Sequence, residues 1–250
     1  MNDYIEEWLK RKNNIFPGDE LILEKQYSVN YTTSQEYIKS SSFNDPMDNK
    51  FHIGLSPLPF LGNLSRASVF ILTLNPGLHI SDYFTENNPV FQKCLEDNFN
   101  QVLEKYPLFF LNPELGFHAG YDYWNKQIKS LREALCERLN LSREIIQKFL
   151  AKEIAVLELI PYHAQGNPNR NKSILSLPSV KAVTNYARTV LQPKALKEEI
   201  LILNFRAVKE WGLEKGEHIL KDFNPRNPSL NPKNTHGKRL LEFLLPRYRS

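Results

Sequence analysis

Two asparagine-proline segments carry the residue types best suited to chemistry. One is Asn75-Pro76-Gly77-Leu78-His79 and the other is Asn227-Pro228-Ser229-Leu230-Asn231-Pro232. An asparagine amide offers an acceptor and two donors and can orient a ligand. Pro76 fixes φ and Gly77 permits a positive φ, so the first segment departs at a defined angle with backbone amides near whatever Asn75 holds. Each segment alone is also ordinary turn chemistry, and Ser229 or Thr235 can simply cap a helix. Between them, Glu158 supplies a carboxylate, and the polar run from Tyr162 to Lys172 supplies His163, Arg170 and Lys172.

These residues need a scaffold that brings them to one place. Residues 67–74 are a run of apolar and β-branched residues ended sharply by Asn-Pro-Gly, which reads as a buried strand. Residues 153–160 and 199–204, and more weakly 218–223, repeat that pattern. Apolar residues at spacings of three and four predict helices over 91–106, 123–139, 141–152, 179–191, 205–212 and 235–245. Strands alternating with helices give an α/β fold: three layers, α/β/α, around a mainly parallel four-stranded sheet. Ligands in such folds bind beyond the carboxyl ends of the strands. His79 and His163 then belong to two strand-end loops and are expected to face each other. Residues 1–60 begin with a helical pattern, Tyr4, Ile5, Trp8 and Leu9, and pass into a polar stretch at 40–48; they read as a helical and irregular extension packed on a domain of residues 61–250.

Composition narrows the function. With 41% hydrophobic and 24% charged residues among 250, and no apolar run near the ~20 residues of a membrane span, a soluble, cytoplasmic protein is expected. Two cysteines, Cys94 and Cys136, are too few for a zinc or iron-sulfur site by themselves, and no metal or other cofactor is expected. The formal charge of +4 is mild, but the last 30 residues hold Lys221, Arg226, Lys233, Lys238, Arg239, Arg247 and Arg249 against Asp222 and Glu242. Such a tail either faces phosphates or is a solvated surface. There is no P-loop, dinucleotide fingerprint, G-x-S-x-G elbow or zinc-deaminase signature.

Taken together and in this order, the two segments resemble the paired motifs of the uracil-DNA-glycosylase-like superfamily. The first matches the N-P-G-L of the mismatch-specific and thymine-DNA glycosylase branch, and Asn227-Pro228-Ser229 matches its later N-P-S. Phe91-Gln92-Lys93-Cys94-Leu95 is similar to the helix start that follows the first motif, and Leu157 to Tyr162 to the segment ending the second strand. The resemblance covers about residues 67–246. It implies that Asn75 positions the hydrolytic water, that Gly77, with Pro76 and Leu78, lines the base pocket, and that Asn227 to Leu230 press into the DNA. A monomeric enzyme that flips a nucleotide out of DNA is implied. Leu230 is the expected wedge, and either Tyr83 or Phe84 the stacking partner of the base. His163 is expected to assist catalysis by stabilising the leaving base or contacting phosphate, and Arg170, Lys172 and Lys238 to bind phosphates.

One departure bears on the substrate. Where relatives that read uracil offer an asparagine amide, this chain has Glu158, and an ionised carboxylate only accepts hydrogen bonds. That suits the amino group of cytosine. Ordinary cytosine cannot be a safe target, so a modified cytosine in foreign DNA, as in superfamily relatives that act in defence against phages, is the expected substrate. Repair of uracil or thymine mismatches, and a nucleic-acid-binding module without catalysis, are the alternatives.

Overall fold

Val69–Thr73, Ile154–Glu158 and Leu201–Asn204 are mostly aliphatic and buried along their full length, as strands covered on both faces must be. The computed structural model describes residues 3–23, 26–45, 48–102, 105–165, 168, 170–221, 223–224 and 228–249. The N-terminal part holds α1 (Asp3–Leu9), β1 (Ser28–Val29), α2 (Ser34–Lys39), β2 (Phe51–His52) and β3 (Phe60–Leu61). Next come β4 (Val69–Thr73), α3 (Asp82–Thr85), α4 (Pro89–Asn100), α5 (Ala119–Leu139), α6 (Arg143–Glu153) and β5 (Ile154–Glu158). The chain finishes with α7 (Lys172–Leu175), α8 (Pro178–Tyr186), α9 (Gln192–Leu196), β6 (Leu201–Asn204), α10 (Val208–Trp211), β7 (Ile219–Leu220) and α11 (Thr235–Arg249).

The fold is mixed α/β, with a main sheet ordered β3-β5-β4-β6-β7. Its last four members run parallel, and β3 joins β5 antiparallel, with Phe60 opposite Leu157. The sheet therefore has five strands where the sequence suggested four. The addition is a two-residue edge strand, too short to show a period, and a boundary at residue 60 passes through it. Other elements shift in extent: α10 covers only Val208–Trp211 of the helix expected over 205–212, and β7 only two residues of 218–223.

Winding runs from β4 outward to β5, then back across the sheet to β6 and on to β7. With right-handed crossovers, the reversal puts α4 to α6 on one face and α8 to α10 on the other. After β7 the chain returns to the first face, where α11 packs on α5.

The N-terminal residues belong to the same hydrophobic core, through Tyr4, Ile5, Trp8, Phe16, Phe51 and Leu58. Asn98 of α4 closes the β3 edge, donating to Phe60 O (2.9 Å) and accepting from Gly62 N (3.0 Å), so these groups are not open to pairing with another chain. Tyr4 stacks on Tyr186 of α8 at 5.4 Å and meets Phe60 edge-on, while Trp8 lies 6.1 Å from Phe99 of α4. Farther along, Asp19 is wholly buried and accepts from Tyr162 Oη (2.6 Å) and Ser179 N (3.0 Å), tying the segment to the chain after β5 and to α8. Burial raises the Asp19 pKa to about 6 despite those bonds. Among the described residues no helix is long and apolar enough to cross a membrane.

Candidate functional site

The connection after β4 leads toward one side of the sheet and that after β6 toward the other, so a crevice opens between their carboxyl ends. A cavity of about 260 Å³ lies there, lined by the ends of β4 (Thr73 to His79), β5 (Glu158) and β6 (Phe205, Arg206), the start of α5, and Pro228. Among ligand pockets this is small, fit for a single substituted ring.

Asn75 sits at its edge, half-buried. Its Nδ2 donates to Pro76 O (2.7 Å) and toward Ala164 O (3.4 Å). Carbonyl oxygens can only accept, which fixes the orientation of the amide. Oδ1 accepts no hydrogen bond among the described residues and is the polar atom left for a water or ligand. The loop is laced to the chain after β5: Ile160 N donates to Leu74 O (2.8 Å), Ala164 N to Pro76 O (3.3 Å), and His163 Nδ1 to Gly77 O (2.7 Å). Gly77 does not use the left-handed region that the sequence suggested, since its φ is not positive. Its reason is space: a Cβ built there meets nothing within 4 Å, so any larger side chain would project into the open volume.

His163 is 3% exposed and serves as a clamp. Nδ1 is engaged by Gly77 O, and Nε2 donates to Ser56 O (3.1 Å) with Glu86 Oε1 at 3.2 Å. Both partners are carbonyl oxygens, which only accept. Asp82 Oδ2 lies 3.9 Å from Nδ1. Burial raises the pKa of Asp82 and lifts that of Glu86 to about 7, while His163 pulls both down. A direct role for His163 on the leaving base or phosphate is therefore corrected: with both ring nitrogens occupied, it acts by holding the Asn75 loop to the N-terminal segment. Nor does His79 face it. The His79 backbone N–H donates to Asp82 (2.7 Å), which stands between the two, and its ring bonds Ser81 Oγ (2.7 Å).

Glu158 ends β5 directly opposite Thr73, is 6% exposed and lines the cavity. Thr73 Oγ1 donates to Glu158 Oε2. Oε1 has no hydrogen-bond partner among the described residues. Burial lifts the Glu158 pKa to about 7, against the lowering effects of Thr73, His163 and Arg206. Near neutrality this carboxyl is thus poised between a donor and an acceptor.

The α5 region adds Phe110, Tyr123 and Trp124 to the lining, which with Phe205 after β6 give the cavity aromatic surface, and Tyr123 remains 43% exposed. His118 is the N-cap of α5: its Nδ1 accepts from Gly120 N (3.0 Å), and its ring stacks on Phe91 at 4.8 Å. Its Nε2 is buried with no partner, a condition that for a neutral donor costs about 1–3 kcal/mol. Burial, helped by the neighbouring His163 and His79, lowers the His118 pKa to about 4.

Several expected site residues lie elsewhere. Tyr83 is 2% exposed in a separate cluster with Tyr37 and Leu55, its hydroxyl bonded to His52 Nδ1 (2.6 Å), and it cannot stack on a ligand in the cavity. Phe84 is 77% exposed and does not line the cavity. Leu230 is 1% exposed in the core, which corrects its reading as a wedge. Gly237 of α11 allows that placement, since a Cβ there would fall 2.1 Å from Asn231 O and 2.9 Å from the Leu230 carbonyl carbon. Asn234, rather than Ser229 or Thr235, bonds the first turn of α11, accepting from Gly237 N (2.7 Å); Ser229 accepts from Asn231 N (3.2 Å). Asn227 lies outside the described residues.

The cations are equally dispersed. Arg170 pairs with Glu210 at 3.0 Å and fastens its loop to α10, so it is not free for phosphate as expected. Lys172 is exposed at the start of α7, and Lys238 is exposed 3.9 Å from Glu242. Of the basic tail, Lys221 bonds Leu213 O, Arg239 approaches Glu217, and Arg247 stacks on Phe243. Arg206 was missed in the sequence although it follows β6 just as Asn75 follows β4; its guanidinium has no hydrogen-bond or ion-pair partner among the described residues. His118 carried no local signal. Among the described residues no three His, Cys, Asp or Glu side chains are grouped to hold a metal ion. No family model, curated protein or solved structure matches the chain.

Proposed function

We propose that this protein is a monofunctional DNA glycosylase of uracil-DNA-glycosylase-like architecture that takes a flipped-out modified cytosine into the cavity and hydrolyses its bond to the sugar. The observation that carries the reading is the meeting of Asn75 and Glu158 at one small cavity in the crevice of the sheet. Breaking the N-glycosidic bond builds positive charge on the sugar and sends the bonding pair away with the base. Water then adds to C1′ through its oxygen, and its proton is taken up, net, by the base. An amide with its donors tied down and Oδ1 open supports a water-positioning role, in which alignment rather than basicity is the contribution. A neutral asparagine does not deprotonate the water, so bond breaking runs ahead of attack. Glu158 reads the base: ionised, it accepts from a cytosine amino group.

A second reading is favoured by one observation. With its pKa near 7, Glu158 is protonated in part of the population and then donates, which suits the O4 carbonyl of uracil or thymine. Repair of mismatched uracil or thymine is therefore the competing function. The test presents duplex and single-stranded oligomers bearing uracil, thymine mismatches, 5-hydroxymethylcytosine or glucosylated 5-hydroxymethylcytosine, and scores abasic sites. Release of modified cytosine with uracil untouched supports the proposal. Ready release of uracil with every cytosine derivative ignored favours repair, and no abasic sites on any substrate overturns the enzymatic reading.

A further inference from the structure

Among the described residues, Arg206 is the one buried or half-buried arginine that holds no polar group. Arg11, Arg132, Arg170, Arg239 and Arg247 each bind a carbonyl, an amide or a carboxylate, and Arg66, Arg138 and Arg143, which bind none, are exposed. The backbone around Arg206 is fixed on both sides. Phe205 N donates to Leu72 O (2.9 Å), carrying the pairing of β6 with β4 one residue further, and Ala207 stands in the left-handed region at φ 57°. That conformation is strained for alanine and turns the chain sharply. Helix α10 pins the turn, Trp211 Nε1 donating to Thr73 O (3.2 Å). A rigid turn at the sheet end therefore presents the guanidinium in the wall of the cavity. Glu158, in the same lining, is 6% exposed whereas Arg206 is half-buried, so the acid lies deeper and the cation nearer solvent.

We propose that Arg206 is a phosphate subsite, which takes a phosphate flanking the nucleotide whose base enters the cavity. The inference rests on the reading of the cavity as a base pocket and deepens it by naming the backbone contact. The planar fork of N–H donors matches the oxygens of a phosphate, and a permanently charged group gains most from a charged partner. A neutral ring carbonyl would leave the cation uncompensated, and phosphate is the anion that DNA offers. A nucleotide also has the polarity of the cavity, with an amine-bearing base at one end and a phosphate at the other. Such a contact fixes the register of the strand without reading its sequence. The cations named from the sequence do not supply it: Arg170 is held by Glu210, and Lys172 and Lys238 are not in the lining.

The test reads binding apart from base release in DNA. Deoxycytidine and its 5′- and 3′-monophosphates are titrated by calorimetry into the full-length protein and into Arg206→Gln, which keeps a polar side chain and removes the charge. One monophosphate should bind the wild type about tenfold or more tighter than deoxycytidine, the scale of a hydrogen bond to a charged group. The isomer that does so identifies the flanking phosphate. The advantage should vanish in Arg206→Gln and shrink with added salt, and both proteins should unfold at the same temperature. In ¹⁵N-arginine-labelled wild type, inorganic phosphate alone should shift the Nε–H resonance of Arg206. Equal affinity for all three ligands in the wild type, or an advantage that survives in a folded Arg206→Gln protein, overturns the subsite but leaves the glycosylase reading standing. If phosphate shifts Arg206 and no nucleotide binds more tightly than phosphate itself, the anion site stands and the base-pocket reading fails. If nothing binds and the resonance stays in place, both fail. Should Arg206→Gln not fold, the wild-type series and its ¹⁵N spectrum decide.

Discussion

Thr73 and Glu158 are register partners on adjacent parallel strands, and the threonine hydroxyl donates to the glutamate carboxyl. The bond anchors one oxygen and leaves the other facing the cavity, so a backbone register positions the proposed base-reading group.

The Glu158 pKa, lifted from 4.5 to about 7 by burial, predicts how stability varies with pH. The raised value means the protonated form is favoured in the folded protein. Its stabilising share is complete below about pH 4.5 and is lost as pH rises through about 7. Glu158→Gln should therefore gain stability relative to wild type at pH 8, by up to about 3 kcal/mol, with little difference at pH 4.5. Urea unfolding of both proteins at the two pH values measures this.

Asn75→Ala should lower base release about 100-fold or more, the scale of lost alignment at a reacting centre. Losing the amide's bonds to Pro76 O and Ala164 O should reduce stability by only about 1 kcal/mol. Single-turnover abasic-site formation beside a thermal melt separates the two effects, and unchanged cleavage would remove Asn75 from the mechanism.

Gly77 should tolerate alanine in folding, because its backbone is unstrained and a Cβ has room. Gly77→Ala is expected to keep or raise stability by roughly 0.4–1 kcal/mol through the unfolded chain. Gly77→Leu should fold as well yet abolish ligand binding by filling the cavity. Calorimetric titration with free cytosine tests the occlusion, and a melt tests the fold.

Removing His163 leaves two carbonyls, Gly77 O and Ser56 O, without their donor. His163→Ala should destabilise the protein by about 2–5 kcal/mol, at about 1–3 kcal/mol for each unsatisfied group. Adding Glu86→Gln should recover part of the loss, because the amide carries no charge needing compensation. A double-mutant cycle in urea measures the coupling.

What could be read in the sequence follows how local each signal is. The three central strands, the Asn75 loop and Glu158 were legible because long aliphatic runs end abruptly at polar residues. Arg206 was available by the same rule and was overlooked. Tyr83, Leu230 and His118 were not legible, since their places depend on distant partners: His52 and Tyr37 cover Tyr83, Gly237 admits the loop that buries Leu230, and α5 carries His118 to the crevice from far outside the strand ends. Histidine type alone suggested His163, whereas the free ring nitrogen belongs to His118. The edge strand β3 escaped because two residues carry no period.

That edge strand also orders events during synthesis. Phe60 must wait for Leu157, nearly a hundred residues later, and Ser56 for His163, before either meets its partner. Pairings so distant in sequence form slowly. The N-terminal segment is thus made well before its partners and settles only after them, with Trp8, Phe16 and Phe51 unsheltered in the meantime, as aggregation-prone surface for a chaperone to shield.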